Sequence, residues 1–158
     1  AGLLLIVRID EKTFVRRVVG RVWAIAVILT LISFWVQCAQ AYARDVALIE
    51  TEMVTTAHWV NTNTPSGALI AAHDIGALGY FSRRPILDLA GLISPKVIPF
   101  IRDETRLKQY LDQRGADYLI TFPAWYPWLV AGREPLYRTA GEFSPAQGGE
   151  NMHVYRWP

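Results

Sequence analysis

Hydrophobic and polar positions are spread unevenly along this chain. Residues 22–43 (VWAIAVILTLISFWVQCAQAYA) contain no charge, no Pro and no Gly, and are bracketed by Arg21 and Arg44. A helix of that length rises about 33 Å, close to the thickness of a bilayer's hydrocarbon core. Trp23 and Trp35 stand towards its two ends, where an indole places an apolar ring beside a wet N–H. The pattern predicts a transmembrane helix. A core helix of a soluble protein is the competing reading, but a soluble domain of this size rarely spares so long an uncharged run. A cleaved signal peptide fits less well, because the run exceeds an h-region and a charged segment of about 20 residues precedes it.

Beyond the run, Val46, Ile49, Met53, Ala57 and Val60 recur at helical spacing, with Glu50, Glu52 and Thr56 on other faces. The polar stretch NTNTPSG at residues 61–67 ends that helix. Residues 68–72 (ALIAA) form a short apolar run bounded by turn residues, as expected of a strand buried on both faces. A short helix or turn over 75–81 and a second strand over 85–89 follow. Asp103 then caps a helix with Glu104 in its first turn, Leu107, Tyr110 and Leu111 as its buried stripe, and Arg114 and Gly115 at its end. Strands are expected over 117–122, 136–143 and 152–157, the last two as a hairpin at a sheet edge around residues 144–150. The order strand, helix, strand points to a parallel crossover. The fold class is α/β: an N-terminal transmembrane helix followed by a small three-layer domain with a mostly parallel sheet.

Charge orients this arrangement. Residues 1–21 carry five basic and two acidic side chains, a balance of +3. Past the helix, Arg44 is the sole basic residue before Arg83, while Asp45, Glu50 and Glu52 intervene. The positive-inside rule keeps the N-terminal side cytoplasmic and exports residues 44–158. The exported part holds 11 basic and 12 acidic residues, so the overall pI near 8.8 reflects topology and gives no reason to expect nucleic-acid binding. Residues 1–7 (AGLLLIV) are apolar and begin without Met. They read as the end of a preceding membrane helix, joined by a short cytoplasmic loop, or else as a short apolar tag. The single Cys38 lies inside the apolar run, so the exported part forms no internal disulfide.

Ligands of open parallel sheets bind beyond the C-terminal ends of the strands. Three segments meet that condition: His73 and Asp74 after the first strand, Asp88 at the end of the second, and residues 123–128 (PAWYPW) after the third. Carboxylates accept hydrogen bonds from sugar hydroxyls, and aromatic faces stack on the apolar C–H faces of sugar rings. His73, Asp74, Tyr80, Asp88, Trp125 and Tyr126 are the candidate ligand-binding residues. Each also has a structural reading. Asp74 caps the turn containing Gly76 and Gly79, and Asp88 pairs with Arg83, Arg84 or Arg102. His73 is a satisfied interface histidine, and Trp125, Tyr126 and Trp128 rest on lipid headgroups or on another part of the protein.

Other chemistries fail on spacing. His73-Asp74 is superficially like a metal-dependent phosphohydrolase motif, but His58 and His153 do not supply the remaining ligands. GALG at residues 76–79 is not GxGxxG, and neither a P-loop lysine nor a Gly-x-Ser-x-Gly elbow occurs. No metal site, cofactor or catalytic set is expected in this chain.

The stretches AAHDIGALGYFS (71–82), ILDLAGLISP (86–95) and GADYLI (115–120) resemble the C-terminal extracytoplasmic domain of bacterial polytopic GT-C glycosyltransferases. Those enzymes are related to protein O-mannosyltransferases and arabinosyltransferases. The shared pattern is D-x-G-x-x-G-Y, then D-L-x-G-L-x-S-P, and the resemblance covers roughly residues 18–158. It implies a place in the bacterial cytoplasmic membrane and transfer of a sugar from a polyprenyl-phosphate donor to a glycan or protein acceptor outside it. In that family the catalytic acidic residue lies in the first outer loop, so the resemblance carries no catalytic residue onto this chain. A non-enzymatic, membrane-anchored binding or assembly domain is the alternative.

Overall fold

The computed structural model describes residues 14–158, so the expected end of a preceding membrane helix at residues 1–7 lies outside the described residues. The chain divides after Asp45 into two units. Helix α1 covers Phe14–Leu48. Among the described residues, one helix is long and apolar enough to cross a membrane. Its most apolar 18-residue window has a mean hydropathy of 2.1, and none of that window is buried. Val22, Ile25, Leu29, Ile32 and Phe34 all face outwards. A core helix would bury such residues, and a surface helix in water would not carry them on every side.

The helical path continues past α1 with changed geometry. Ile49–Val54 form a π-helical turn, followed by α2 over Thr55–Asn63. The wider turn rotates the buried stripe. Met53, Ala57 and Val60 are buried as their spacing predicts, but so are Glu52, Val54 and Thr56, whereas Val46 and Ile49 are exposed. The polar run after residue 61 ends the helix at Asn63 as expected, and Thr64 is already extended.

Next come β1 (Ile70–Ala72), α3 (Gly76–Ser82) and β2 (Ile86–Asp88). A 3-10 turn over Pro95–Phe100 leads into α4 (Glu104–Arg114) and β3 (Tyr118–Thr121). A 3-10 turn at Pro123–Trp125, the single-turn helix α5 (Pro127–Val130), β4 (Tyr137–Arg138), α6 (Phe143–Ala146) and β5 (His153–Arg156) complete the chain. Helix α4 follows its end signals closely. The Asp103 carboxylate accepts a hydrogen bond from the Arg106 N–H, and Gly115 stops the helix at φ 64°, the left-handed conformation that costs an L side chain roughly 1–2 kcal/mol.

The five strands form one sheet in the order β2-β1-β3-β5-β4. The pairs β1–β2 and β1–β3 are parallel, whereas β3–β5 and β5–β4 are antiparallel. The sheet is therefore mixed, not mostly parallel, because the hairpin inserts β5 against β3 and leaves β4 as the edge. Alternation along the strands sends Ala71, Leu87, Leu119 and Tyr155 into one apolar cluster with Leu107 and Leu111 of α4. Ile70, Ala72, Ile120 and Val154 enter a second cluster with Met53, Ala57, Val60 and Leu78. Strands buried on both faces explain the uninterrupted apolar runs in the sequence.

Candidate functional site

The ends of β1 and β3 bring three of the six candidate residues together. His73 follows β1 directly, and its ring centroid lies 4.8 Å from that of Trp125, edge-on, and 6.3 Å from that of Tyr126. Phe122 supports Trp125 from the β3 side at 5.0 Å. The two aromatics differ in access: Trp125 is 46% exposed, while Tyr126 is buried. Burial pushes the Tyr126 hydroxyl up to about 12, with the Glu104 and Asp88 carboxylates adding to the effect. Tyr126 thus stays protonated, and Trp125 offers a half-open aromatic surface beside an imidazole.

The carboxylates behave differently. Asp88 is fully buried and takes four backbone N–H donors from the loop that follows it. Its Oδ1 accepts from Ala90 (2.7 Å) and Gly91 (3.0 Å), and its Oδ2 accepts from Ile93 (2.7 Å) and Ser94 (2.9 Å). Burial alone would raise its pKa, but the four donors outweigh burial and hold it below the ordinary value of 3.8. Both oxygens are engaged by backbone, so Asp88 acts as a clasp for its own loop, in place of the expected pairing with Arg83, Arg84 or Arg102. Gly91 is part of that clasp at φ 79°, and a Cβ there would lie 2.6 Å from Ile98 Cγ1. Gly91→Ala is expected to cost about 1–2 kcal/mol from the backbone conformation alone, seen as a lower midpoint in thermal unfolding.

Asp74 also serves local structure. Its Oδ1 accepts from the Gly76 N–H at 3.2 Å, a turn that precedes α3. Tyr80 lies away from the other candidates. It is 77% exposed and borders a cavity of about 460 Å³ with His58, Asn61, Phe81 and Arg83. Arg84 braces the wall beside it through Asn61 and Thr64. Among the described residues no three His, Cys, Asp or Glu side chains gather in a way that would hold a metal ion.

A family model described as a domain of unknown function (DUF8728) matches residues 40–155, nearly three-quarters of the chain. The chain belongs to the DUF8728 family. No curated protein and no solved structure matches it. The DUF8728 match begins within α1 and takes in both glycine-bearing motifs, the strand ends and the β4–β5 hairpin.

That hairpin holds a polar centre which the sequence left unmarked. Glu52, on the π-helical turn, is fully buried. Its carboxylate accepts from the Thr139 hydroxyl, from the Met152 N–H at 2.9 Å and from Asn151 Nδ2 at 3.2 Å. Asn151 also donates to the Gly141 carbonyl at 2.8 Å. Next to this centre lies a cavity of about 490 Å³ whose walls include Arg138, Thr139, Glu150, Asn151 and His153. Burial and the Arg138 guanidinium push the His153 imidazole below its ordinary value, against the pull of Glu150 and Glu52. Its Nδ1 lies 2.8 Å from the Tyr155 hydroxyl. Glu150 reaches back to accept from the Ala124 N–H at 2.8 Å, tying the hairpin loop to the turn that carries Trp125. In this DUF8728 member the strand ends thus join an aromatic corner to a neighbouring polar cleft.

Proposed function

We propose that this chain is the C-terminal part of an integral-membrane glycosyltransferase that takes its sugar from a polyprenyl-phosphate donor. In this reading the helix over residues 22–43 anchors residues 44–158, a three-layer α/β domain, on the outer face of a bacterial cytoplasmic membrane. There the domain helps bind acceptor or donor, and the catalytic acidic residue belongs to another part of the protein. The observation that carries the reading is the aromatic corner: Trp125, half-open and edge-on to His73 at 4.8 Å, lies where parallel strands end. Such a surface suits the C–H face of a pyranose or furanose ring, and the polar cleft beside it suits hydroxyls.

One observation favours the second reading, a non-enzymatic anchored binding or assembly domain. Asp74 and Asp88, the two carboxylates of the motifs, are engaged by their own backbone. The test is titration of the full chain in nanodiscs with mannose, arabinose, short glycans containing them, and polyprenyl phosphate. Trp125→Ala is expected to weaken the best of these at least tenfold, about 1.4 kcal/mol, without lowering the unfolding midpoint. Absence of saturable binding by every probe overturns the glycan reading and leaves the assembly domain. For the enzyme itself, the reading requires eight or more upstream hydrophobic spans in the full reading frame, with an acidic residue in the first outer loop.

A further inference from the structure

The loops at the C-terminal end of the parallel strands expose large apolar side chains on a rigid frame. Leu92 is 73% exposed and Ile93 66%, both on the loop leaving β2, and Ile98 is exposed on the 3-10 turn that follows. Trp128, on the turn leaving β3, is 82% exposed. These residues do not belong to floppy segments. Asp88 holds the backbone of residues 90–94 through four hydrogen bonds. The turn at α5 is pinned where the Leu129 N–H donates to Glu104 at 2.8 Å. Apolar side chains presented to solvent by an ordered backbone mark an interaction surface.

Topology within Val46–Pro158 shows what lies at that end. Glu52 bonds the Met152 N–H and the Thr139 hydroxyl, and the adjacent His153 pairs with Thr121, the last residue of β3. The π-helical turn is therefore level with the C-terminal ends of the parallel strands. The far end of α2 lies at the opposite edge, where Arg84 ties Asn61 and Thr64 to the start of β2. The chain thus enters this unit at the end that carries the exposed loops. Only eight residues lie between Ala43, the last of the uncharged run, and Glu52.

We infer that the loops bearing Leu92, Ile93, Ile98 and Trp128 dip into the headgroup layer of the bilayer that the chain's own apolar helix crosses. The chemistry fits lipid better than protein. Three aliphatic side chains and an indole suit the boundary between acyl chains and headgroups, and Lys96 and Arg102, both exposed in the same segment, suit anionic headgroups. The nearby carboxylates are occupied: Asp103 accepts from the Arg106 N–H at 3.1 Å, and Glu104 from Leu129. This inference rests on the membrane reading of the helix and not on sugar binding. Trp125 plays no part in it.

The test uses the full chain in vesicles of phosphatidylcholine with phosphatidylglycerol. Nitroxide labels are placed at Leu92→Cys, Trp128→Cys and Gln113→Cys in a Cys38→Ala background, since Cys38 is a free, exposed thiol. Gln113 is exposed near the end of α4 that leads into β3, at the opposite edge of the sheet. Collision with oxygen relative to a water-soluble nickel chelate is expected to be several-fold higher at residues 92 and 128 than at residue 113. The difference should shrink when phosphatidylglycerol is omitted or when Lys96→Glu and Arg102→Glu are combined. Labels at 92 and 128 that are as open to nickel as the label at 113 overturn the inference. Labels shielded from both probes also overturn it, because protein then covers the loops.

Discussion

Asp88→Asn is expected to destabilise the fold by about 2–6 kcal/mol. The amide can accept at one end only, so two of the four N–H groups face an NH₂ donor, and each buried donor without a partner costs about 1–3 kcal/mol. The volume is unchanged, which separates this effect from cavity formation. Thermal unfolding of the full chain in detergent, followed by near-UV circular dichroism, should show a midpoint lower by roughly 10 °C or more. Lys108→Ala provides the contrast. It breaks the exposed Lys108–Asp112 pair, and such pairs contribute about 0–1 kcal/mol. The carboxylate also sets a pH dependence. Its folded pKa is depressed below 3.8, so its contribution is full above that value and is lost as pH falls through the lower folded one. The Asn variant should lack this acid limb. An Asn variant that melts with the parent and keeps its acid limb would mean that the loop is not held by Asp88.

The same residue shows why the sequence was only partly legible. The sequence offers Arg83, Arg84 and Arg102 as its partners, because charged partners carry a letter in the sequence. The actual partners are peptide N–H groups two to six residues ahead, which every non-proline residue possesses. Gly91, with its positive φ, and Pro95, opening the 3-10 turn, were the visible traces of that loop. Helix α4 was readable to the residue because its determinants are local: Asp103 at one end, Gly115 at the other, and Leu107 and Leu111 between them. Strands β1 and β2 were readable for a similar reason, as apolar runs between turn residues. The strand expected over 136–143 shrank to Tyr137–Arg138; the Thr139 N–H still donates to the Met152 carbonyl at 3.0 Å, and its hydroxyl bonds Glu52. The π-helical turn left no periodic signal. One wider turn shifts the register by about one residue, and polar Glu52 and Thr56 were then assigned to outer faces. The burial of Glu52 depends on donors almost 90 or more residues away, which no local window contains. At the site, chain order alone placed His73 and Trp125 at strand ends, but burial decided that Asp88 faces inwards.

Glu52→Leu is expected to cost about 2–6 kcal/mol and to loosen the β4–β5 hairpin first. A leucine fills similar space but removes the acceptor of the Thr139 hydroxyl and of one Asn151 Nδ2 N–H, and it leaves the Met152 N–H only the Thr139 hydroxyl oxygen at 3.0 Å. Glu52→Gln should cost less, since its amide oxygen still accepts from Thr139 and Met152. Hydrogen–deuterium exchange of the full chain in detergent separates a local from a global effect. Protection is expected to fall across β4 and β5 before it falls in α4, because α4 packs in the other apolar cluster. Thr139→Val supplies the partner test. In a double-mutant cycle its cost should shrink sharply when residue 52 is already leucine, giving a coupling above about 0.5 kcal/mol. Additive costs and uniform loss of protection would instead make Glu52 a packing element with no privileged link to the hairpin. The distinction bears on the candidate site, because the residues Glu52 holds, Thr139 and Asn151, are walls of the polar cleft. A carboxylate that fixes those walls from below would control the cleft's shape without ever reaching a ligand.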